Sequence, residues 1–219
     1  MTLGFFEQMW RSDVFVLLDD VQYDKEGWRN RNRIKTAKGP QWLTVPVLTK
    51  GREGQKIYEV EINNGVDWRK KHLEAIRQNY SKAPFFKKYI SLFEQAYALK
   101  WESLNDLNRW FISSLASLLG IWKVESIGSL ALGIKGDRIE RLINLCHYFT
   151  ADVFYEGAAG INYINEKVFS ERGIKVEFQD YQHPVYPQLY GEFVSHLSVI
   201  DLLFNCGPES LKILTGGQK

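Results

Sequence analysis

The segment after residue 121 constrains the fold most, because strand-like and helix-like runs alternate along it. KVESIGSL, ADVFYEG and IKVEFQD read as strands, and GDRIERLINLCHYF and INEKVFSERG read as the helices between them. Strand, helix, strand at these lengths requires crossover connections, which pair strands in parallel with right-handed topology. The expected class is therefore α/β, a Rossmann-like three-layer parallel sheet. No internal repeat and no low-complexity linker divides the chain, so residues 1–219 are expected to form a single domain.

Ahead of that segment the pattern differs. Residues 3–11 read as a helix and 13–19 as a strand, with extended runs near 41–47 and 57–62 and an exposed turn at GREGQ, residues 51–55. From 67 to 120 the signal is helical: Trp68, His72, Ile76 and Tyr80 form one stripe, and Phe86, Ile90, Phe93 and Tyr97 a second after Pro84. Leu104, Leu107, Phe111, Leu115 and Leu118 form a third, which ends at Gly120 as a C-cap. These stripes predict a helical insertion, or lid, over the sheet.

The site signal lies in LLDDVQYDKEGWRNRNRIKTAKGPQWLTVPV, residues 17–47. An apolar run that closes on Asp19 and Asp20 is how a buried parallel strand delivers carboxylates to the ligand-binding edge of an α/β sheet. Gln22 follows in the same loop. If residues 28–36 are extended, Arg29, Arg31, Arg33 and Lys35 share one face, and Trp28, Asn30, Asn32, Ile34 and Thr36 share the other. A basic face of this kind suits a phosphate or carboxylate ligand; a solvated edge strand that resists aggregation is the alternative.

Two further loops follow predicted strands. In GIKGDRIER, Lys135 precedes a helix start, where backbone N–H groups attract an anion unless Asp137 serves as N-cap. In YEGAAGINYI, residues 155–164, Gly157 and Gly160 permit close approach of a ligand to the backbone, ahead of Tyr163. Pro184 and Pro187 exclude a regular helix over Tyr181–Tyr190, which reads as an ordered binding loop at the sheet edge. His183 and His196 are candidate general bases, since imidazole titrates near neutral pH. Ser195, His196 and Asp201 have the residue types of a hydrolytic triad, but as neighbours on one helix they cannot adopt its geometry. Asp201 interrupts an apolar helix and is expected to be paired by internal hydrogen bonds.

Composition bounds the remaining classes. A net charge of +2 over 219 residues gives no global case for nucleic-acid binding. No run approaches the roughly 20 apolar residues that span a bilayer, and the first residues lack a signal-peptide pattern, so a cytoplasmic location without membrane insertion is expected. Cys146 and Cys206 lack paired spacing and read as small buried hydrophobes. The four histidines, His72, His147, His183 and His196, show no metal-ligand pairing, so no metal site is expected.

The strings LGFFEQMWRSDVFVLLDDVQYDKEGWRNRNRIKT, WLTVPV and SHLSVIDLLFNCGPESLKIL, in this order, resemble the WbqC-like family of bacterial proteins, over residues 3–214. The resemblance implies a setting in O-antigen and surface-polysaccharide biosynthesis, with transfer of an acyl or aminoacyl group, glycyl among them, to the amine of a nucleotide-linked sugar. It also places a histidine after a tryptophan at His72, which could then face the site. Family members open with a short apolar strand and an HQPNYLPWLGFF-like segment, of which only Leu3, Gly4, Phe5 and Phe6 are present; the expectation is a late start codon or a site lacking one part.

Amide formation on a sugar needs a base, an oxyanion site and cations for the diphosphate. Asp19, Asp20 or His183 fit the first need, backbone N–H groups near Gly157 to Gly160 the second, and Arg31, Arg33, Lys35 and Lys135 the third. The donor is an acyl or aminoacyl carrier. ATP takes that place in the alternative of a ligase or nucleotidyl-transferring enzyme, and a sugar-phosphate-binding component without catalysis is the other alternative.

Overall fold

The structure, a computed structural model, describes residues 1–121 and 125–217. In chain order the elements are α1 (Leu3–Arg11), β1 (Val14–Leu17), β2 (Arg31–Thr36), β3 (Gly39–Thr44), α2 (Trp68–Tyr80), α3 (Phe86–Ala98) and α4 (Leu104–Leu119). They continue with β4 (Glu125–Gly128), α5 (Ser129–Leu132), α6 (Arg138–Tyr148), β5 (Val153–Glu156), α7 (Glu166–Ser170), β6 (Lys175–Phe178), α8 (Val199–Cys206) and α9 (Ser210–Leu214). The expected helix over 3–11 and the order of strands and helices after residue 124 are present. Lys123 and Val124, the start of the expected KVESIGSL strand, lie outside the described residues.

The chain divides into two compact units, one of residues 1–6, 20–122 and 183–219, the other of 7–19 and 123–182. The second unit holds the parallel pairing that the sequence predicts. β1 pairs with β4, Val14 opposite Glu125, and β5 pairs with β6, Val153 opposite Lys175, both in parallel. One face of this unit's core is formed by Leu142, Ile143, Leu145 and Cys146 of α6, with Phe169, Ile174 and Val176 against them. Among the described residues each ladder pairs two strands, and the strands of the parallel pairs are four residues long. The class is mixed α/β with small parallel sheets.

The first unit contains the β2–β3 hairpin, the helices α2–α4, and α8 and α9. The predicted stripe of α2 is buried as a set, Trp68, His72, Ile76 and Tyr80 together. In α3 the deepest positions are Tyr89, Phe93 and Ala96. The stripe is thus rotated by about one residue from the expected Phe86, Ile90, Phe93 and Tyr97. Gly120 closes α4 at φ 85°, a left-handed conformation that costs glycine nothing, and its N–H returns to the Ala116 carbonyl. A core of Tyr23, Ile57, Val60, Ile62, Trp68, Leu104 and Leu107 lies beneath these elements. Residues 57–62 are a 3-10 turn and isolated bridges instead of the expected strand: the Ile57–Glu59 turn takes its start, and Ile62 pairs singly with Val47.

Both cysteines are buried and unbridged, as expected of small hydrophobes, and burial pushes each thiol up to about 11. No helix among the described residues is long and apolar enough to cross a membrane.

Candidate functional site

The hairpin arises from the alternation of β2. β2 and β3 pair antiparallel from Arg31 opposite Thr44 to Thr36 opposite Gly39, so Arg33 faces Trp42 directly across the ladder. Extended structure begins at Arg31; residues 25–30 form turns and bends, which removes Arg29 and Trp28 from the ladder proper. Trp28 nonetheless returns to the same place. Its ring meets Trp42 edge-on at 4.9 Å between centroids. The Arg31 guanidinium lies 4.9 Å above Trp42, and that of Arg33 lies 5.4 Å from Trp28 and 5.6 Å from Trp42. Both indoles are largely exposed, 45% for Trp28 and 42% for Trp42, which is unusual for rings of this size unless something uses them.

The two arginines have different local duties. Arg31 donates through Nε to the Gly27 carbonyl at 3.2 Å and through Nη2 to that of Glu26 at 2.6 Å, and so ties down the preceding turn. Among the described residues the Arg33 guanidinium donates one hydrogen bond, Nη2 to the His196 carbonyl at 3.1 Å, and its buried Nε has no partner. A planar guanidinium with donors left over, resting on aromatic faces, is preorganised for a bidentate oxyanion.

Lys35 departs from expectation. It continues the basic face, but segment 188–192 covers that face here, so Lys35 is 2% exposed, with Nζ donating to Gln188 Oε1 at 3.0 Å and to the Glu192 carbonyl. It organises the loop and presents no free cation to solvent. Gln188 passes the constraint on, exchanging hydrogen bonds with the Val194 N–H and carbonyl.

That loop carries the histidines. Ser195 and His196 precede α8 and are not helical, so the argument from helical spacing does not apply to them. Ser195 Oγ and His196 Nδ1 are 2.8 Å apart. His196 has φ 58°, left-handed and strained for a residue with a side chain, and it is held there at both ends of its peptide unit. Its carbonyl accepts from Arg33, and its N–H donates to His183 Nε2 at 3.1 Å. Because Nε2 accepts, the proton of His183 sits on Nδ1, which donates to the Pro184 carbonyl at 3.0 Å. Burial lowers the His183 pKa and favours this neutral form. The His183 and His196 rings are 5.1 Å apart.

Beneath the loop, Asp201 is fully buried on α8 and accepts from Tyr80 Oη at 2.8 Å and Tyr186 Oη at 3.0 Å. The internal pairing expected of this carboxylate is therefore met. Burial raises its pKa, against the pull of the two phenols. Its oxygens are committed to tyrosines, so Asp201 is no third member of a triad with Ser195 and His196.

The other candidates are dispersed. His72 is buried against Trp68 and Tyr97 and bonded through Nε2 to the Thr44 carbonyl at 3.1 Å, with its pKa lowered by burial to about 4, a structural histidine. Asn30 uses Nδ2 on the Val45 carbonyl. Gln22 is exposed and bridges to Lys56. Asp20 is half-buried in the same unit.

In the other unit, Asp19 stands at the end of β1 as predicted, but its Oδ1 accepts the Leu130 N–H at 2.8 Å and the Ser129 hydroxyl at 3.2 Å, so it caps α5. At Lys135 the helix-start reading prevails: the Asp137 carboxylate takes the Ile139 and Glu140 N–H groups of α6, the donors an anion would use. Gly136, at φ 137° and with room for no Cβ beside Arg141, makes that turn possible. The glycines of the 157–160 loop are likewise committed. The Gly157 N–H donates to Glu156 Oε1 at 2.9 Å, the Gly160 N–H donates to the Gly157 carbonyl at 2.8 Å, and a Cβ on Gly160 would lie 2.3 Å from Glu156 Cγ. Gly160 makes space for a side chain, not for a ligand. Tyr163 joins Glu156, whose pKa burial raises, and carries the Arg138 guanidinium 3.8 Å over its ring. Among the described residues no group of three or more metal-ligating side chains converges.

Sequence reasoning missed Trp42 and the proximity of Arg138 to Glu156, and it named Ser195 only to dismiss it as part of a helical triad. The first was readable from cross-strand pairing, since a hairpin turn at Ala37–Lys38 places Trp42 opposite Arg33. The chain is 40% identical over 209 residues to the uncharacterized protein Rv1507c of Mycobacterium tuberculosis, covering 94% of this chain and 90% of that protein. No solved structure matches it. The WbqC-like protein family matches residues 2–213, nearly the whole chain, and the protein belongs to that family.

Proposed function

We propose that the Trp28–Arg31–Arg33–Trp42 platform and the adjoining His196 loop bind a phosphate-bearing amino sugar, and that the chain transfers an acyl or aminoacyl group to its amine. Membership of the WbqC-like family supports polysaccharide-related biosynthesis as the setting. One observation carries the finer reading: Arg33 rests on two exposed indoles, keeps unused donors, and bonds to the backbone of an imidazole-bearing residue. A cation above aromatic faces suits a phosphate linked to a stacking group, a nucleobase or the apolar face of a sugar. His196, exposed and beside Arg33, is the base that accepts the amine proton; His183 fixes its backbone and has no lone pair to spare. The alternation of β4, α6, β5, α7 and β6 with parallel pairing of β5 and β6 supports a Rossmann-like arrangement for the second unit.

Isothermal titration with a uridine-diphosphate amino sugar, the free sugar phosphate and ATP tests this reading. Arg31→Ala with Arg33→Ala removes two charge-assisted contacts, on the order of 3 kcal/mol, or roughly a 100-fold loss of affinity for the sugar nucleotide. Unchanged affinity in the double variant would remove the anion clamp. Binding of ATP alone, with pyrophosphate or AMP released on turnover, would replace the transferase by the ligase reading.

A further inference from the structure

We propose that Ser195 is a nucleophile activated by His196, and that the acyl group passes through a serine ester on its way to the amine. The inference rests on the acyl-transfer reading above and adds to it a covalent carrier. Its basis is geometric: Ser195 Oγ lies 2.8 Å from His196 Nδ1, within reach for direct proton transfer. Three backbone anchors hold the pair. The His196 N–H donates to His183 Nε2, the His196 carbonyl accepts from Arg33 Nη2, and the Ser198 N–H donates to the Arg33 carbonyl at 2.8 Å. These bonds keep His196 at φ 58°, a conformation that a non-glycine residue adopts at a cost of about 1–3 kcal/mol. The left-handed turn at His196 sets its imidazole beside the half-buried Ser195 hydroxyl, so that a nucleophile and a base lie within hydrogen-bond reach. Asp201, committed to Tyr80 and Tyr186, leaves a dyad in which the backbone, not a carboxylate, orients the base.

The chemistry balances without a redox partner. Ser195 Oγ attacks the carbonyl of an activated acyl ester, oxygen or sulfur; the Oγ–C bond forms and the bond to the leaving group breaks. The hydroxyl proton moves to His196 Nδ1 and then to the departing alcohol or thiol. In the second half the amine attacks the serine ester, the C–N bond forms, the C–Oγ bond breaks, and the amine's proton returns through His196 to Ser195.

A fluorophosphonate probe tests nucleophilicity without knowledge of the donor. Intact mass and peptide mapping of the full chain should show one adduct, on Ser195, absent in Ser195→Ala and formed at least tenfold more slowly in His196→Ala. Ser195→Cys provides a second reading: its thiol should react with iodoacetamide faster than the buried Cys146 and Cys206. No adduct on Ser195, or a rate indifferent to His196→Ala, overturns the proposal. Titration of the wild-type chain with the sugar nucleotide separates the two readings: labelled Ser195 without sugar binding refutes the substrate and keeps the nucleophile, whereas sugar binding without labelling refutes the serine ester alone.

Discussion

His72 makes the stability of this protein depend on pH in a direction and by an amount the structure sets. The imidazole is 7% exposed, lies between Trp68 and Tyr97, and is bonded to the Thr44 carbonyl; burial lowers its pKa from 6.5 to about 4. Below pH 6.5 the unfolded chain takes up a proton at His72 that the native chain refuses until about pH 4, so the unfolded state binds more protons and stability falls as pH falls. Each pH unit in that window is worth about 1.4 kcal/mol. The loss attributable to His72 is then about 2 kcal/mol at pH 5 and about 3 kcal/mol near pH 4. His72→Gln retains a donor for the Thr44 carbonyl and cannot titrate. Urea unfolding of both proteins at pH 7.5, 6 and 5 reads the difference, because every other titrating group is common to them. Wild type should lose about 2 kcal/mol relative to His72→Gln between pH 7.5 and 5. Parallel decline of the two proteins over that range would refute the buried neutral imidazole.

Other outcomes follow from the same contacts. Asp201→Ala strands two buried phenols, Tyr80 and Tyr186, at about 1–3 kcal/mol each, so the melting temperature should fall by roughly 12 °C, and by clearly less in Asp201→Asn, which keeps one acceptor; an unchanged melting curve would sink this account. Gly160→Ala must push a Cβ into Glu156 and Phe178, a destabilisation of about 1–3 kcal/mol that calorimetry would detect, and a neutral result would mean that the Glu156 side chain moves aside freely. Protonated His183 can no longer accept the His196 N–H. Its pKa lies below the ordinary 6.5, so sugar-nucleotide affinity should be intact at pH 7 and weaken as pH falls through the lowered value. Affinity that stays flat while the His183 ring titrates in the NMR spectrum would contradict that role.

Much of the secondary structure was legible in the sequence because it depends on near neighbours. The helices at 3–11 and 68–119, the Gly120 cap, the Asp137 N-cap and the parallel order after residue 124 follow from periodicity, capping chemistry and crossover geometry, all set within a few turns of chain. The basic face of β2 was legible for the same reason: side chains alternate whatever lies opposite. What lies opposite is a tertiary matter. Segment 188–192 buries Lys35 yet leaves Arg33 its donors, and it arrives from more than 150 residues away. The two carboxyl-end loops read as anion sites because exposed N–H groups attract anions, but the Asp137 and Glu156 side chains already occupy those donors. His196 was legible as a candidate base, but Ser195 was set aside with the triad on a helical premise that the left-handed turn before α8 removes. Local pattern determined which residues form strands and helices, because propensity and period act over short range. Only the folded chain decided which charges are free to meet a ligand, because that depends on the side chains and carbonyls that distant segments bring within 3 Å.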